Sequence, residues 1–190
     1  RFVPHFHIPL QSGNDKQLRL MRRRYKRQRY ADRIAAIRRA MPHCCIGVDV
    51  IVGFPGETDE DFQVTQQFLV DLEVSYLHVF TYSERANTLA ATMTGVVPMQ
   101  VRRLRNAQLR LLSQKKRRQF YEQHIGSAQT VLVEAKAIRG QLYGFTENYI
   151  KVALPHQENL VNQLVPVCLG AIDETADELV LTAKALAPVS

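Results

Sequence analysis

The 190-residue chain is poor in cysteine: it has three, two adjacent (Cys44, Cys45) and one distant (Cys168). That number and spacing build neither a disulfide framework nor a metal site, and they fit a reducing, cytoplasmic setting. No apolar run approaches the roughly 20 residues that a membrane span needs, so the chain reads as soluble. Internal repeats and low-complexity segments are also missing. With 46% apolar and 23% charged residues, the composition excludes disorder, collagen and coiled coil. An initiator methionine and a signal peptide are absent too. The chain starts at Arg1 in mid-strand, within RFVPHFHIPLQSG, and reads as a piece of a longer protein.

Acidic residues are scarce in two stretches, which gives the net charge of +7 a pattern. Residues 1–39 hold 12 Lys/Arg against 2 Asp/Glu, and residues 99–126 hold 8 against 1. Residues 40–98 hold 1 against 8, and residues 127–190 hold 4 against 7. Basic clusters on helix-like stretches point to a polyanion; a solvated helix face is the competing explanation.

HFHIPL (5–10) reads as a short strand stopped by Pro9, and Asn14 as the N-cap of a helix over about 15–22. A second helix, about 27–41, sets Tyr30, Ile34, Ile37 and Met41 at helical spacing. CIGVDVIVGF (45–54) is a nearly continuous apolar run, as in a parallel strand covered on both faces. Thr58-x-x-Asp61 then opens a helix with a capping-box pattern, and SYLHVFTYS (75–83) is the next strand. Alternating strands and helices at this spacing make βαβ units and a parallel sheet. Three strands cannot close a barrel, so the front of this domain lies elsewhere. Pro98 opens a long helix to about 124, with Val101, Leu104, Leu111, Leu112 and Phe120 as its apolar stripe and Lys115, Lys116, Arg117 and Arg118 as a basic collar. From about 127 the period becomes two. Five short strands in about 60 residues predict a small closed barrel, because an open sheet that size leaves reactive edges. The expected fold class is α/β followed by all-β, with domains at 1–125 and 126–190.

HIPLQSG and DVIVGFPGE put polar groups and flexible backbone just past the C-terminal ends of parallel strands, where ligands bind in α/β folds. Glycines 13, 53 and 56 allow close backbone approach, and Gln11, Ser12 and Glu57 can hydrogen-bond hydroxyl or amino groups. His5 and His7 share a strand face; packing at the mouth of the barrel competes with a ligand or base role for them, and for His78.

Taken in order and spacing, HIPLQSGND, LMRRRY, GVDVIVGFPGETDEDF and HVFTYSERANTLAA resemble the radical S-adenosylmethionine (SAM) methylthiotransferases. YGFTENYIKV is similar to the TRAM domain, the RNA-binding barrel that ends those enzymes. The wording is most similar to the branch that acts on threonylcarbamoyladenosine in tRNA, next to the anticodon. Branches acting on isopentenyladenosine or on a ribosomal protein share most of the motifs. The resemblance implies SAM as cofactor, cleaved at a [4Fe–4S] cluster on a CxxxCxxC motif, and a second cluster in an N-terminal domain. None of those cysteines is in this sequence. The chain would then be the back half of a radical-SAM partial barrel plus the TRAM domain, ligating no cluster and inactive alone.

The same resemblance assigns roles residue by residue. Gln11, Ser12 and Gly13 would meet the ribose and methionyl part of SAM. Ile51 and Gly53 match the radical-SAM pattern GxIxGxxE, Asp49 replaces its first glycine, and Glu57 comes one position late, so Glu57 is a SAM ligand or a cap of the next helix. Phe80, Thr81 and Tyr82 would offer backbone to adenine. Arg23 and Tyr25 match M-x-R-x-Y, at SAM, at substrate or as a loop dock. Lys26 replaces the usual Thr cap, so the following helix should start less well capped. In the small barrel Thr146, Asn148, Tyr149 and Lys151 surround a turn, with Tyr149 as a stacking face and Lys151 as a phosphate contact. The partners implied are tRNA and an electron donor, for a monomer with no membrane. A non-catalytic RNA-binding module is the alternative from another class, and an ordinary α/β enzyme with a phosphate site at Gly53–Glu57 is a third.

Overall fold

The computed structural model describes residues 3–138, 140–176 and 178–186. The chain separates into a compact unit of Phe6–Lys116 and a second that takes in His5 and the residues from Arg117 onward.

In the first unit the elements are β1 (His5–His7), α1 (Asp15–Leu20), α2 (Arg27–Ala40), β2 (Cys45–Val52), α3 (Asp59–Asp71), β3 (Tyr76–Thr81) and α4 (Met99–Glu122), of which β1 and α4 each cross the unit boundary. The three strands form one sheet in the order β1-β2-β3. β2 and β3 are parallel, in register from Gly47 opposite Tyr76 to Val52 opposite Thr81. Local signals act as the sequence dictates. The Asn14 side chain accepts from the Lys16 and Gln17 amides. Thr58 and Asp61 close a reciprocal capping box at the start of α3. α2 starts at Lys26 with no side-chain cap, as the missing Thr predicts.

One face of the sheet is dry. Ile46, Val48, Val50 and Val52 pack with Leu10, Ile34, Leu69 and Leu109, all nearly or fully buried. The other face departs from the expectation of a strand covered on both sides: Asp49 and Ile51 are only half-buried, and their register partners His78 and Phe80 are exposed. The apolar run hides this, because Ile51 counts as core in a sequence yet faces the open side.

α4 corrects a second expectation. Leu104 is 60% exposed and Leu111 53%, whereas Arg102, Arg105, Leu109 and Ser113 are buried. This helix covers strand and loop ends, whose backbone groups need partners. Ser113 Oγ accepts from Leu77 N–H and donates to Leu77 O, each at 2.8 Å. Asn106 Nδ2 donates to Val79 O (3.2 Å), and Lys116 Nζ to Val70 O (3.0 Å) and Leu72 O (2.8 Å) at the end of α3. The buried face is chosen by hydrogen-bonding reach, and a hydrophobicity count misses it.

In the second unit β4 (Ala128–Ile138), β5 (Gln141–Thr146), β6 (Lys151–Pro155), β7 (Leu164–Ile172) and β8 (Leu181–Ala185) close a barrel in the order β4-β5-β6-β8-β7. Val131, Val133, Leu142, Val152, Leu154, Val167, Leu169 and Leu181 fill it. Gly144 is glycine because a β-carbon there would lie 2.4 Å from Leu132 O. Phe120 and Tyr121, from the last turns of α4, are buried here, and Tyr121 Oη accepts from Lys151 N–H (3.0 Å). Among the described residues no helix is long and apolar enough to cross a membrane.

Candidate ligand cleft and nucleic-acid surface

The ends of the three strands are fixed by backbone geometry. Gln11 adopts φ 75°; its N–H donates to Asp49 O (2.8 Å) and its carbonyl accepts from Ile51 N–H (2.9 Å). Gly53, just past β2, also has positive φ (+75°), and a β-carbon there would lie 2.3 Å from Cγ of Arg102. Both conditions require glycine. Arg102 passes under this turn and ties down the chain beyond β3. It donates to Val97 O (2.7 Å), Tyr82 O (2.8 Å) and Glu84 Oε1 (2.6 Å), and its guanidinium lies 5.3 Å from the Tyr82 ring centre.

Arg105 holds the adjacent turn. Its Nη1 donates to Glu57 Oε2 (2.7 Å), which also accepts from Gly53 N–H (2.7 Å); its Nη2 reaches Asp59 Oδ1 (2.6 Å). The Glu57 and Arg105 side chains are 1% and 6% exposed. Burial pushes the Glu57 carboxyl above the ordinary glutamate range, against the pull of the Gly53 N–H and the guanidinium. In the same corner, nearer the surface, Asp61 accepts from Lys16 Nζ (2.6 Å), Gln17 Nε2 (3.3 Å) and Thr58 N–H (3.1 Å). Burial acts upward on Asp61, but these donors outweigh it and hold its carboxyl below the usual range.

Around these ends lie two adjoining clefts of about 460 and 450 Å3 that share Gln11, Ile51, Phe54 and Ala90. The first adds Asp49, Phe80, Thr81, Tyr82 and Arg85; the second adds the α1–α2 loop at Met21, Arg22 and Arg23. Aromatic walls, one amide and exposed strand-end backbone suit a planar heterocycle carrying a polar tail, and the size is that of a small-ligand site. The structure thus brings Gln11, Ile51, Thr81 and Tyr82 together, with Arg23 beside them. The other expected residues stand behind the wall. Ser12 is fully buried, with its hydroxyl 3.2 Å from that of Thr65. A β-carbon on Gly13 would lie 2.8 Å from Phe68, so Gly13 seats the turn on α3. Gly53 and Glu57 shape the floor. Tyr25 Oη donates to Leu10 O (2.8 Å) and docks the loop. Sequence reasoning missed Phe54, Arg85, Arg102 and Arg105. Arg102 and Arg105 carried no signal, since arginines on a helix ordinarily mark its solvated face.

On the open sheet face His7 Nε2 lies 2.7 Å from Asp49 Oδ1, and the His7 and His78 rings are 5.1 Å apart. Among the described residues no group of three or more His, Cys, Asp or Glu could hold a metal ion. Cys44 and Cys45 are buried at the start of β2, where burial raises the Cys44 thiol, and Cys168 belongs to the barrel.

In the barrel, Thr146 and Asn148 are buried and build the turn. Thr146 Oγ1 donates to Asn148 Oδ1 (2.6 Å), and Asn148 Nδ2 lies 3.1 Å from His124 Nε2, whose Nδ1 donates to Phe120 O (2.7 Å). Tyr149 sits at φ 65° and is 53% exposed, with one face of its ring stacked on His5 (ring centres 4.2 Å apart), and Lys151 pairs with Glu178 over the Tyr143 ring. Within the collar Lys116 holds α3, and Arg118 pairs with Glu122 (2.9 Å) and Glu174 (2.7 Å). Lys115 and Arg117 are exposed.

Residues 2–69 match the family model of the Radical SAM superfamily. The chain is 40% identical over 153 residues to the threonylcarbamoyladenosine tRNA methylthiotransferase MtaB of Aquifex aeolicus, covering 80% of this chain and 36% of that protein. With the Bacillus subtilis protein of the same name it shares 36% over 172 residues, 88% of this chain and 38% of the relative. With the tRNA-2-methylthio-N(6)-dimethylallyladenosine synthase of Desulfitobacterium hafniense it shares 36% over 167 residues, 87% of this chain and 37% of the relative. The chain therefore spans just over a third of the length of the curated relatives it matches.

Proposed function

We propose that this chain, which belongs to the radical-SAM methylthiotransferases, is the part of a tRNA-modifying enzyme that holds SAM and RNA, and that the whole protein methylthiolates threonylcarbamoyladenosine. The observation that carries the reading is the cleft at the strand ends. Gln11, Ile51 and the Phe80–Tyr82 backbone converge there, on residues that match the family's SAM-binding segments. The cleft fits SAM: Phe54 and Phe80 offer faces for adenine, the strand-end backbone offers polar partners, and the buried Tyr82 hydroxyl has no hydrogen-bond partner among the described residues. SAM, cleaved reductively at a [4Fe–4S] cluster, would supply the radical that opens a C–H bond of the base. The three cysteines do not fit that cluster, being an adjacent buried pair and one residue of the barrel. Two clusters and an electron donor therefore belong to the rest of the protein, and the 190-residue chain is inactive alone.

The chain's own residues have simpler tasks. Gln11 presents its amide to the ligand. Arg102 and Arg105 keep the two strand-end turns in the shape that forms the floor. The barrel, read as a TRAM domain from 126 to 190, offers an unstacked base the face of the Tyr149 ring turned away from His5, or the place of His5 on that ring, with Lys151 on the following strand as the phosphate contact. The basic surface attracts tRNA in the cytoplasm, and the enzyme works as a monomer. A dimethylallyladenosine substrate is the second reading, favoured by nearly equal identity to relatives of that name.

The test is nucleoside mass spectrometry of tRNA from cells that make or lack the whole protein. A methylthio group on threonylcarbamoyladenosine is the expected result; one on dimethylallyladenosine selects the second reading, and neither overturns both. In the whole protein Gln11→Ala should weaken SAM binding at least several-fold in a calorimetric titration. Ser12→Ala, behind the wall, should act on stability instead.

A further inference from the structure

The turn between α1 and α2 places a cation where the backbone asks for glycine. α1 closes with Arg22 N–H on Arg19 O (3.0 Å) and Arg23 N–H on Leu18 O (2.9 Å). That double bond pattern requires a left-handed residue just past the cap Met21, and glycine is the usual choice. Here the residue is Arg22, at φ 57°. A β-carbon in this conformation crowds the following carbonyl, so the position is strained for any side chain.

Packing does not explain the arginine. The Arg22, Arg23 and Arg24 side chains are exposed and make no hydrogen bond or ion pair with a described residue. Arginines that serve the fold behave differently: Arg102, Arg105 and Arg118 are ion-paired, and on α2 Arg38 donates to Glu73 O, Cys44 O and Ser75 Oγ. Three successive free guanidinium groups therefore stand on one short loop, and Lys26, Arg29 and Arg33 extend the exposed charge along α2. Two of the three, Arg22 and Arg23, also line the cleft beside Gln11, Ile51 and Phe54. A strained backbone that persists without a packing reason marks a functional position.

We propose that the Met21–Lys26 loop is a phosphate-gripping lip of the cleft, with Arg22 held in its strained conformation to contact the RNA backbone beside the base that enters. This rests on the reading of the cleft as the site of an RNA-modifying reaction. Arginine suits the task because its planar fork matches phosphate oxygens and stays charged.

Three substitutions separate charge from backbone. Arg22→Gly removes the charge and relieves the strain, Arg22→Gln removes the charge alone, and Arg22→Lys keeps both. Binding of fluorescein-labelled tRNA by the 190-residue chain is followed by anisotropy between 50 and 200 mM KCl, with a thermal melt of each variant. Arg22→Gly should raise Tm yet bind more weakly. Its slope of log affinity against log salt should be shallower by about 0.7–0.9, so its deficit shrinks about 3-fold across that salt range. Arg22→Gln should lose the same slope without gaining Tm, and Arg22→Lys should keep the wild-type slope. If Arg22→Gly and Arg22→Gln keep the wild-type affinity and slope, the lip is a solvated surface and the inference falls alone. If the wild-type chain binds no tRNA, the RNA reading of this chain falls and takes the lip with it.

Discussion

Replacing Arg105 by methionine tests whether the cleft floor depends on one buried ion pair. In the Arg105→Met chain the Glu57 carboxylate, 1% exposed, keeps only the Gly53 N–H. Removing one partner of a buried pair strands the other charge and costs about 3–5 kcal/mol. Glu57→Gln should cost less, about 1–3 kcal/mol, because the new side-chain amide can still accept from Gly53 and Arg105 keeps Asp59. With both changes no buried charge is stranded. The double variant should therefore be more stable than the sum of the single effects implies, with a coupling of about 2 kcal/mol. Urea unfolding followed by far-UV circular dichroism reports this unit, because α1, α2, α3 and most of α4 lie in it. The pH dependence sharpens the test. Glu57 already titrates above its ordinary value, and loss of Arg105 pushes it further up. A carboxyl raised in the folded state binds protons more tightly when folded, so its penalty is absent below the unfolded value and grows as pH rises through the folded one. Arg105→Met should thus destabilise more at about pH 7.5 than at about pH 4.5. Additive single effects, or a loss identical at both pH values, would refute the buried-pair argument.

Gly53→Ala should lower Tm, since the left-handed backbone costs about 1–2 kcal/mol and the new methyl must displace Arg102; an unchanged melt would contradict the geometry. Asp61 has the opposite sign to Glu57: its lowered folded value means stability that is present above about pH 4 and lost as pH falls. Asp61→Asn should accordingly flatten the acid limb of the stability curve, measured by urea midpoints at falling pH. Tyr149→Ala should weaken tRNA binding by about 1–3 kcal/mol with little change in salt slope, because stacking releases no counterions; unchanged affinity in the anisotropy titration would leave the small barrel without a reading role.

The elements were legible because their signals are local. Asn14 and the Thr58–Asp61 box cap where the sequence places them, the missing cap at Lys26 is missing, and five period-two segments close into a barrel. The cleft was legible as far as it rests on strand ends: Gln11, Ile51, Thr81 and Tyr82 line it. What escaped lies in contacts across the chain. Ser12 and Gly13 look like ligand-facing turn residues, yet their partners Thr65 and Phe68 lie more than fifty positions away. α4 was misread for the same reason. Its inward positions are set by the carbonyls and carboxylates that Arg102, Arg105 and Ser113 must reach, and no helical wheel contains those targets.

Charge counting fails in a related way, and the failure bears on how RNA binding should be measured. The collar and the α1–α2 loop look alike in sequence, each a run of basic residues. Yet Lys116 is bound to the carbonyls at the end of α3, where burial lowers its ammonium below the ordinary lysine value, and Arg118 is paired with two carboxylates. Neutralising Lys115, Lys116, Arg117 and Arg118 together would remove structural bonds along with charge. Weaker tRNA binding could then reflect a loosened α3 as well as lost phosphate contacts. At Arg22 the two effects run in opposite directions, because glycine there relieves the backbone while deleting the cation. A variant that melts higher and binds RNA with a shallower salt slope cannot owe its defect to misfolding. The strained arginine is therefore where the electrostatic contribution to RNA binding can be read without a stability artefact.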